Sequence, residues 1–306
     1  MLILHSLPKA ELHVHLEGSV SPETLMELAP GSDLSEIRAR CRFAGFAGFI
    51  QAFKWITGHL STPDDYALIT RRLLESLERQ HVRYAEITLS AGVVLWRKQD
   101  FAAIYRAVRR AAAESSVTVF WILDAIRHFG PSPAMEVARL AAERVDDGVV
   151  AFGIGGDEAR GPAEWFSDVF AFARSQGLRL TAHAGETCGP ESIWKALEIG
   201  AERIGHGISS ARDPALLRHL SERRIPLEIC VSSNVATGAI PSLDAHPIRR
   251  IYDAGVPIVI NSDDPAIFKC TLTGEYELAR NQFGFSDPEL TQLAKNSFHY
   301  AFRYTD

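Results

Sequence analysis

Two histidines lie one residue apart in the apolar run "ELHVHLEGS" near the start of the sequence. In an extended strand residues i and i+2 point to the same face, so His13 and His15 are expected to share a face. The opposite face is expected to carry the apolar residues Leu12, Val14 and Leu16. Neutral imidazole is a frequent ligand of divalent metals. The pair therefore predicts part of a metal site, provided that the chain supplies further ligands.

Further polar side chains occur in five later segments, each of which follows a short apolar run. These segments are GGDE (155–158), HAGE (183–186), GHG (205–207), SSN (232–234) and SDDP (262–265). A catalytic metal needs three or four nitrogen or oxygen ligands and an open position for water. His183 would add a nitrogen to the histidine pair, and Asp263 or Asp264 would add an oxygen. Imidazole and carboxylate without thiolate fit Zn²⁺, with Fe²⁺, Co²⁺ and Mn²⁺ as other candidates.

The elements that must position these residues alternate along the chain. Eight short runs are predicted as strands: 10–16, 82–89, 117–126, 149–155, 179–185, 203–208, 226–231 and 257–263. Amphipathic helical patterns lie between them at 64–80, 101–115, 133–145, 163–176, 191–200 and 213–224. Repeated strand–helix alternation predicts an α/β fold with a parallel sheet, and eight units favour a closed (β/α)8 TIM barrel. Every polar segment then lies at the carboxyl end of a strand, where barrel active sites are built.

Residues 17–63 form an unusually long connection between the first two predicted strands. Within it, over residues 42–56, four phenylalanines recur at helical spacing: Phe43, Phe46, Phe49 and Phe53. Two interpretations remain open: a helix packed on the barrel, or an apolar helical lid over a flat substrate. The sequence contains no internal repeat or linker, so we predict a single domain over residues 1–306.

Composition and charge exclude several classes of function. The chain has 306 residues, of which 46% are hydrophobic and 23% are charged, a composition typical of a globular enzyme. Its net charge of −6 does not favour binding to nucleic acid or to anionic membranes. The four cysteines are scattered without a C-x-x-C pair, which favours a reducing compartment and disfavours a thiolate zinc site. No signal peptide or transmembrane segment is predicted, so we expect a cytoplasmic protein. Nothing in the sequence predicts the oligomeric state.

The motifs occur in an order that resembles a known family. LPKAELHVHLEG (7–18), GGDE, TAHAGE (181–186), RIGHG (203–207), SSN and NSDDPAIF (261–268) together resemble the adenosine deaminase family of metal-dependent hydrolases. The resemblance extends from about residue 7 to residue 302. It implies a (β/α)8 barrel that holds one zinc ion per chain and hydrolyses the exocyclic amine of a small-molecule 6-aminopurine.

The resemblance also implies a role for each motif residue. The metal would be held by His13, His15, His183 and Asp263. Glu186 would deliver a proton to purine N1, and His206 would orient the water and help to take its proton. Asp264 would hydrogen-bond to N7, and the backbone N–H of Gly156 would reach N3. Glu17 stands where adenosine-specific members have an aspartate beside the ribose, so it is a candidate substrate contact.

Three substrates remain open at this point: adenosine, free adenine and 6-aminodeoxyfutalosine. The last is an adenosine analogue of the menaquinone pathway whose ribose carries a benzoate-bearing extension. Glu17 also occurs in adenine deaminases, whereas QHVRYAEITLS (80–90) and FIQAFKWITGHLSTPDD (49–65) resemble bacterial aminodeoxyfutalosine deaminases. We therefore favour 6-aminodeoxyfutalosine, with Lys54 or Arg97 as the candidate cation for the benzoate.

Two other functional classes compete with a deaminase. The first is a barrel hydrolase acting on another C–N or C–O bond; such relatives carry a metal-bridging lysine, and predicted strands four and five contain none. The second is a catalytically inactive nucleoside-binding barrel, in which we expect Glu186, His206 or a metal ligand to be lost, and none is. Ser233 and Asn234 either close the seventh strand or contribute to the site.

Overall fold

The computed structural model describes residues 3–304, in which eight parallel strands pair in sequential order. The strands are β1 (Lys9–His15), β2 (Val82–Leu89), β3 (Thr118–Ile126), β4 (Val149–Gly155), β5 (Arg179–Ala184), β6 (Arg203–His206), β7 (Leu227–Ile229) and β8 (Ile258–Ile260). All eight predicted strands are present, which confirms the α/β barrel. The last three are shorter than predicted; β6 ends at His206, where φ is 61°, and Asp263, where φ is 63°, lies beyond the end of β8.

The barrel closes between its first and last strands through residues that follow β8. Val14 forms a parallel bridge with Asp263. The backbone N–H of His15 donates to the carbonyl of Asp263 at 2.8 Å, and the N–H of Asp263 donates to the carbonyl of His13 at 2.9 Å. The side-chain oxygen of Asn261 accepts from the N–H groups of Leu12 and His13. The histidine pair is thereby fixed against the SDDP segment.

The pairing of β1 with β2 is irregular between Glu11 and Val14. His13 and His15 still point the same way, with ring centroids 5.3 Å apart. Leu12, however, packs with Ala10, Tyr84 and Val259, whereas Val14 and Leu16 join the main core. The apolar residues of this strand thus pack in two separate clusters, and the register shift lies between Leu12 and Val14.

Three helices precede β2 in the long connection: α1 (Pro22–Leu28), α2 (Leu34–Arg40) and α3 (Gly45–Thr57). The others are α4 (Pro63–Arg79), α5 (Ala91–Trp96), α6 (Phe101–Ala112), α7 (Pro131–Ala142), α8 (Ser167–Ser175), α9 (Pro190–Glu198), α10 (Pro214–Glu222), α11 (Val231–Ala236), α12 (Ile248–Asp253), α13 (Pro265–Phe268), α14 (Leu272–Phe283) and α15 (Asp287–His299). Short 3₁₀ turns lie at Leu4–Ser6, Glu17–Ser19, Arg127–Phe129, Val145–Asp147, Glu158–Arg160, Ala163–Phe166, Ile208–Arg212 and Leu243–Ala245. Within residues 3–304, no helix combines the length and the apolar character needed to cross a bilayer.

The helices between the strands follow their sequence signals. Helix α4 begins after Thr62, whose hydroxyl accepts from the N–H of Asp65 while the Asp65 carboxylate accepts from the N–H of Thr62. This reciprocal capping satisfies two donors that the helix itself leaves unpaired. The apolar stripes of these helices pack on the outside of the strands in one continuous core. The polar residues at the carboxyl ends of the strands are thus held on a rigid framework.

Candidate active site

A cavity of about 410 Å³ opens at the carboxyl ends of the strands. Its inner wall includes His15, His183, Glu186, His206, Asp263 and Asp264. Phe46, Phe49 and Phe53 of α3 form part of its outer wall, so the phenylalanine-rich helix both packs on the barrel and borders the cavity. Five of the six polar segments singled out in the sequence, including GGDE through Gly156, thus contribute to a single cavity.

The four candidate metal ligands lie together at the base of this cavity. Nε2 of His15 lies 3.3 Å from Nε2 of His183 and 3.4 Å from Oδ1 of Asp263. Nε2 of His13 lies 3.5 Å from the same aspartate oxygen. Possible ligand atoms fall within 4.8 Å of one another in two overlapping groups: His13, His183, His206 and Asp263, and His15, Asp263 and Asp264.

Neighbouring groups orient two of the imidazoles toward a common point. Nδ1 of His13 donates to Glu228 at 2.8 Å, and Nδ1 of His183 donates to the carbonyl of Ile154 at 3.2 Å. Both rings therefore direct Nε2 into the site, where it could bind a metal, and Nε2 of His13 is buried without a hydrogen-bond partner.

The charge distribution in this cluster favours a cation. The Nε2 lone pair of His13 is repelled by the Asp263 oxygen unless a positive charge lies between them. Burial alone would lower the pKa of His13, but the nearby carboxylates of Asp263 and Glu228 hold it well above its usual value. In the metal-free protein a proton on this ring supplies the positive charge that a bound metal ion would otherwise supply. Three imidazoles and one carboxylate fit a divalent ion such as Zn²⁺.

We expect Glu228→Gln to weaken zinc binding about 10- to 100-fold, because groups that orient a ligating histidine contribute on that scale. Competition against a chromophoric chelator measures this affinity. Glu86→Gln is the matched control: Glu86 contacts the same buried Arg203 at 2.6 Å, as Glu228 does, and hydrogen-bonds to Tyr84. An equal loss in both variants would assign the effect to the Arg203 network instead of to His13.

Glu186 lies beside this cluster with its carboxyl group buried. Burial is the main cause that raises its pKa to about 8, and the charge of Asp263 adds to the effect. Its Oε2 lies 3.6 Å from Nε2 of His206, and the hydroxyl of Thr237 donates to its Oε1 at 3.4 Å. Glu186 is therefore largely protonated at neutral pH and can donate a proton to a base in the cavity.

The loop that carries Glu186 is held by Glu158. The Glu158 carboxylate accepts from the backbone N–H groups of Gly185 (2.8 Å), Glu186 (2.9 Å) and Thr187 (2.8 Å). The motif analysis gave Glu158 no role, although a signal was present because this residue ends the GGDE motif. Glu228 was missed in the same way, although a single charged residue within the apolar run PLEICV was a detectable signal.

Asp264 and Gly156 both face the cavity. Oδ1 of Asp264 is buried without a partner, and a Cβ atom on Gly18 would overlap it, so the glycine of the first motif makes room for this carboxyl. Burial and the adjacent Asp263 raise the pKa of Asp264 well above its usual value. Gly156 has φ = 93°, a conformation that favours glycine.

Glu17 has a different environment from the other candidates. It is fully buried and its carboxylate accepts from the backbone N–H of Ser90 at 3.1 Å. Ser90 lines the cavity, whereas Glu17 is not among the described residues of the cavity wall. The structure therefore gives Glu17 a contact that holds the end of β2.

The family model described as adenosine deaminase matches residues 8–306. The chain belongs to the adenosine deaminase family. It is 43% identical over 310 residues to an aminodeoxyfutalosine deaminase of Streptomyces coelicolor, covering 97% of this chain and 80% of the relative. It is 36% identical over 310 residues to an adenine deaminase of Rhizobium leguminosarum bv. trifolii, covering 98% of this chain and 96% of the relative.

A solved structure shares the fold. An amidohydrolase from Burkholderia ambifaria, crystallised with bound Zn, superimposes with a TM-score of 0.88 at 26% identity, covering 98% of this chain and 87% of that one. The barrel predicted from the strand–helix rhythm is thus shared with this solved structure.

Proposed function

We propose that this protein is a zinc-dependent hydrolase that removes the 6-amino group of an adenosine-like purine nucleoside. The observation that carries the proposal is the convergence of a protonated buried carboxyl, Glu186, with the imidazole and carboxylate cluster in one cavity. Membership of the adenosine deaminase family supports the same reaction class.

The side chains of the cavity have complementary roles in this proposal. Glu186 donates its proton to purine N1, which makes C6 more electrophilic. Asp264 hydrogen-bonds to N7 and the N–H of Gly156 to N3, so the base is held with C6 toward the histidine cluster. A zinc ion held by His13, His15, His183 and Asp263 would supply Lewis-acid activation of the attacking water. The phenylalanines of α3 exclude bulk water from the base.

We propose 6-aminodeoxyfutalosine as the substrate. Its support is the 43% identity to an aminodeoxyfutalosine deaminase, against 36% to an adenine deaminase. The outer cavity also suits an aromatic extension, since Trp96 and Phe129 stack there with centroids 5.9 Å apart. Free adenine would leave this outer part without a partner.

The surroundings of Arg97 and Lys54 support one of them as the cation for the proposed benzoate. The guanidinium of Arg97 donates to the carbonyls of Thr57 and Gly58, so it fastens the end of α3. Lys54 also lines the cavity, and within the described residues its ammonium has no hydrogen bond or ion pair. Lys54 is therefore the cation that is available to a carboxylate of the substrate.

We expect Lys54→Met to lower kcat/KM for 6-aminodeoxyfutalosine about tenfold, the effect of losing one solvent-accessible charge-assisted hydrogen bond. Turnover of adenosine, which has no carboxylate, should remain unchanged. Lys295→Met removes an exposed lysine from α15 and serves as the control. A similar loss with both substrates would contradict recognition of the benzoate by Lys54.

The substrate is tested by measuring ammonia release from 6-aminodeoxyfutalosine, adenosine and adenine with the zinc-loaded protein. We expect the highest kcat/KM for 6-aminodeoxyfutalosine. Fast deamination of adenine alone would favour the second candidate, an adenine deaminase, which the Rhizobium relative supports. Release from none of the three would contradict the deaminase proposal and favour an inactive nucleoside-binding barrel.

A further inference from the structure

His206 is the last member of a chain of hydrogen bonds that begins at a helix N-terminus. The backbone N–H of Ile248, the first residue of α12, donates to Nδ1 of His246 at 3.2 Å. Nε2 of His246 lies 3.2 Å from Oδ1 of Asn234, and Nδ2 of Asn234 lies 3.0 Å from Nδ1 of His206. All three side chains are buried, with exposed fractions of 5% for His246, 0% for Asn234 and 1% for His206.

The first donor fixes the direction of the whole chain. A backbone N–H can only donate, so Nδ1 of His246 is an acceptor. Burial lowers the pKa of His246 to about 4, which keeps the ring neutral with its proton on Nε2. Nε2 therefore donates to the oxygen of Asn234. The amide nitrogen of Asn234, which has no lone pair to offer, then faces His206 and must donate to it.

We propose that Asn234 and His246 are positioning residues that hold His206 in the tautomer protonated on Nε2. Because Nδ1 accepts from Asn234, the single proton of the neutral His206 ring lies on Nε2. This nitrogen faces the reaction centre, 3.6 Å from Oε2 of Glu186 and 3.9 Å from Oδ2 of Asp263. His206 therefore presents a hydrogen-bond donor to the cavity.

This inference refines the role of His206 and rests on the proposed function, which supplies the water. The sequence suggested that His206 orients the water and helps to take its proton. In the tautomer set by Asn234, Nε2 has no lone pair with which to accept that proton. His206 thus orients the attacking oxygen by donating to it, and the proton of the water passes to Glu186, which is a carboxylate once it has given its own proton to purine N1.

The tautomer is observable without any substrate. In zinc-loaded protein labelled with ¹⁵N-histidine, NMR separates protonated ring nitrogens from those that carry a lone pair. The His206 signals are identified by their loss in His206→Gln. We expect a lone pair on Nδ1 and a proton on Nε2. A His206 ring with its proton on Nδ1 and a lone pair on Nε2 would overturn the proposal.

Asn234→Asp tests the consequence with a nearly isosteric change. The carboxylate only accepts hydrogen bonds, so it receives one from His246 and pulls the His206 proton onto Nδ1. We expect the NMR pattern of His206 to reverse while the zinc stoichiometry stays unchanged. We also expect kcat to fall about 10²- to 10⁴-fold, the range for an imidazole in the wrong tautomer or a lost acid–base group. An unchanged kcat in a variant whose tautomer has reversed would overturn the catalytic role.

His246→Gln is the conservative counterpart, because its side-chain amide still donates to Asn234. We expect the wild-type tautomer of His206 and a kcat within a few fold of wild type; a reversed tautomer here would contradict the proposed direction of the hydrogen bonds.

The experiments distinguish failure of the tautomer inference from failure of the proposed function. Wild-type protein with the expected tautomer but no ammonia release contradicts only the function, whereas an active enzyme with the opposite tautomer contradicts only the inference.

Discussion

Removing the metal with a chelator is expected to abolish ammonia release, and added Zn²⁺ is expected to restore it. Without the metal, a proton replaces it between His13 and the Asp263 oxygen, which lie 3.5 Å apart, and the proposed Lewis acid that activates water is lost. Ammonia release is measured before chelation, after chelation and after titration with Zn²⁺. Activity that survives complete removal of metal would contradict the metal-dependent mechanism.

Asp263→Ala is expected to abolish activity as chelation does, because it removes one of the proposed metal ligands. The Asp263 carboxylate lies within 3.5 Å of both His13 and His15, so its loss removes the negative charge from the proposed ligand set. We expect loss of stoichiometric zinc together with activity. Asp244→Ala, which removes an exposed carboxylate of a 3₁₀ turn outside the cavity, is the control and should bind zinc normally.

Glu186→Gln is expected to lower kcat about 10²- to 10⁴-fold, the usual contribution of a general acid. Glutamine keeps the size of the side chain but has no proton to transfer to purine N1. Since Glu186 is not among the proposed ligands, zinc content should not change. Steady-state ammonia release and metal analysis of the same preparation separate the two effects.

The pH profile gives an independent check on Glu186. Its carboxyl must be protonated to donate, and its pKa of about 8 lies well above that of an exposed glutamate. We therefore expect kcat/KM to fall as pH rises through about 8, because the fraction of protonated Glu186 decreases. In Glu186→Gln the residual rate should lose this alkaline limb; a limb that persists unchanged would assign it to another group.

Matched variants distinguish a specific loss from local unfolding around Glu186. Glu158 positions the loop by accepting three backbone N–H groups. Glu158→Gln should therefore lower both activity and thermal stability, whereas Glu186→Gln should lower activity without destabilising the protein. Equal destabilisation in both variants would contradict a purely chemical role for Glu186.

The sequence determined those features that depend on residues close together in the chain. Strand and helix patterns are local, and their eightfold alternation leads to a barrel because parallel strands need crossover helices between them. The carboxyl-end positions of the histidines and acids followed from that alternation, and the order of the motifs along the chain was sufficient to indicate the family.

Only the tertiary structure decided which partner each of these groups meets. His13 is oriented by Glu228, 215 residues away, and Ser262 hydrogen-bonds to Glu11 across 251 residues. The proposals that Lys54 is the substrate-binding cation and that Asn234 sets the tautomer of His206 rest on contacts of the same long-range kind. A sequence specifies residue types and local periodicity, whereas proton positions and free charges depend on distances of a few ångströms that exist only after the barrel has closed.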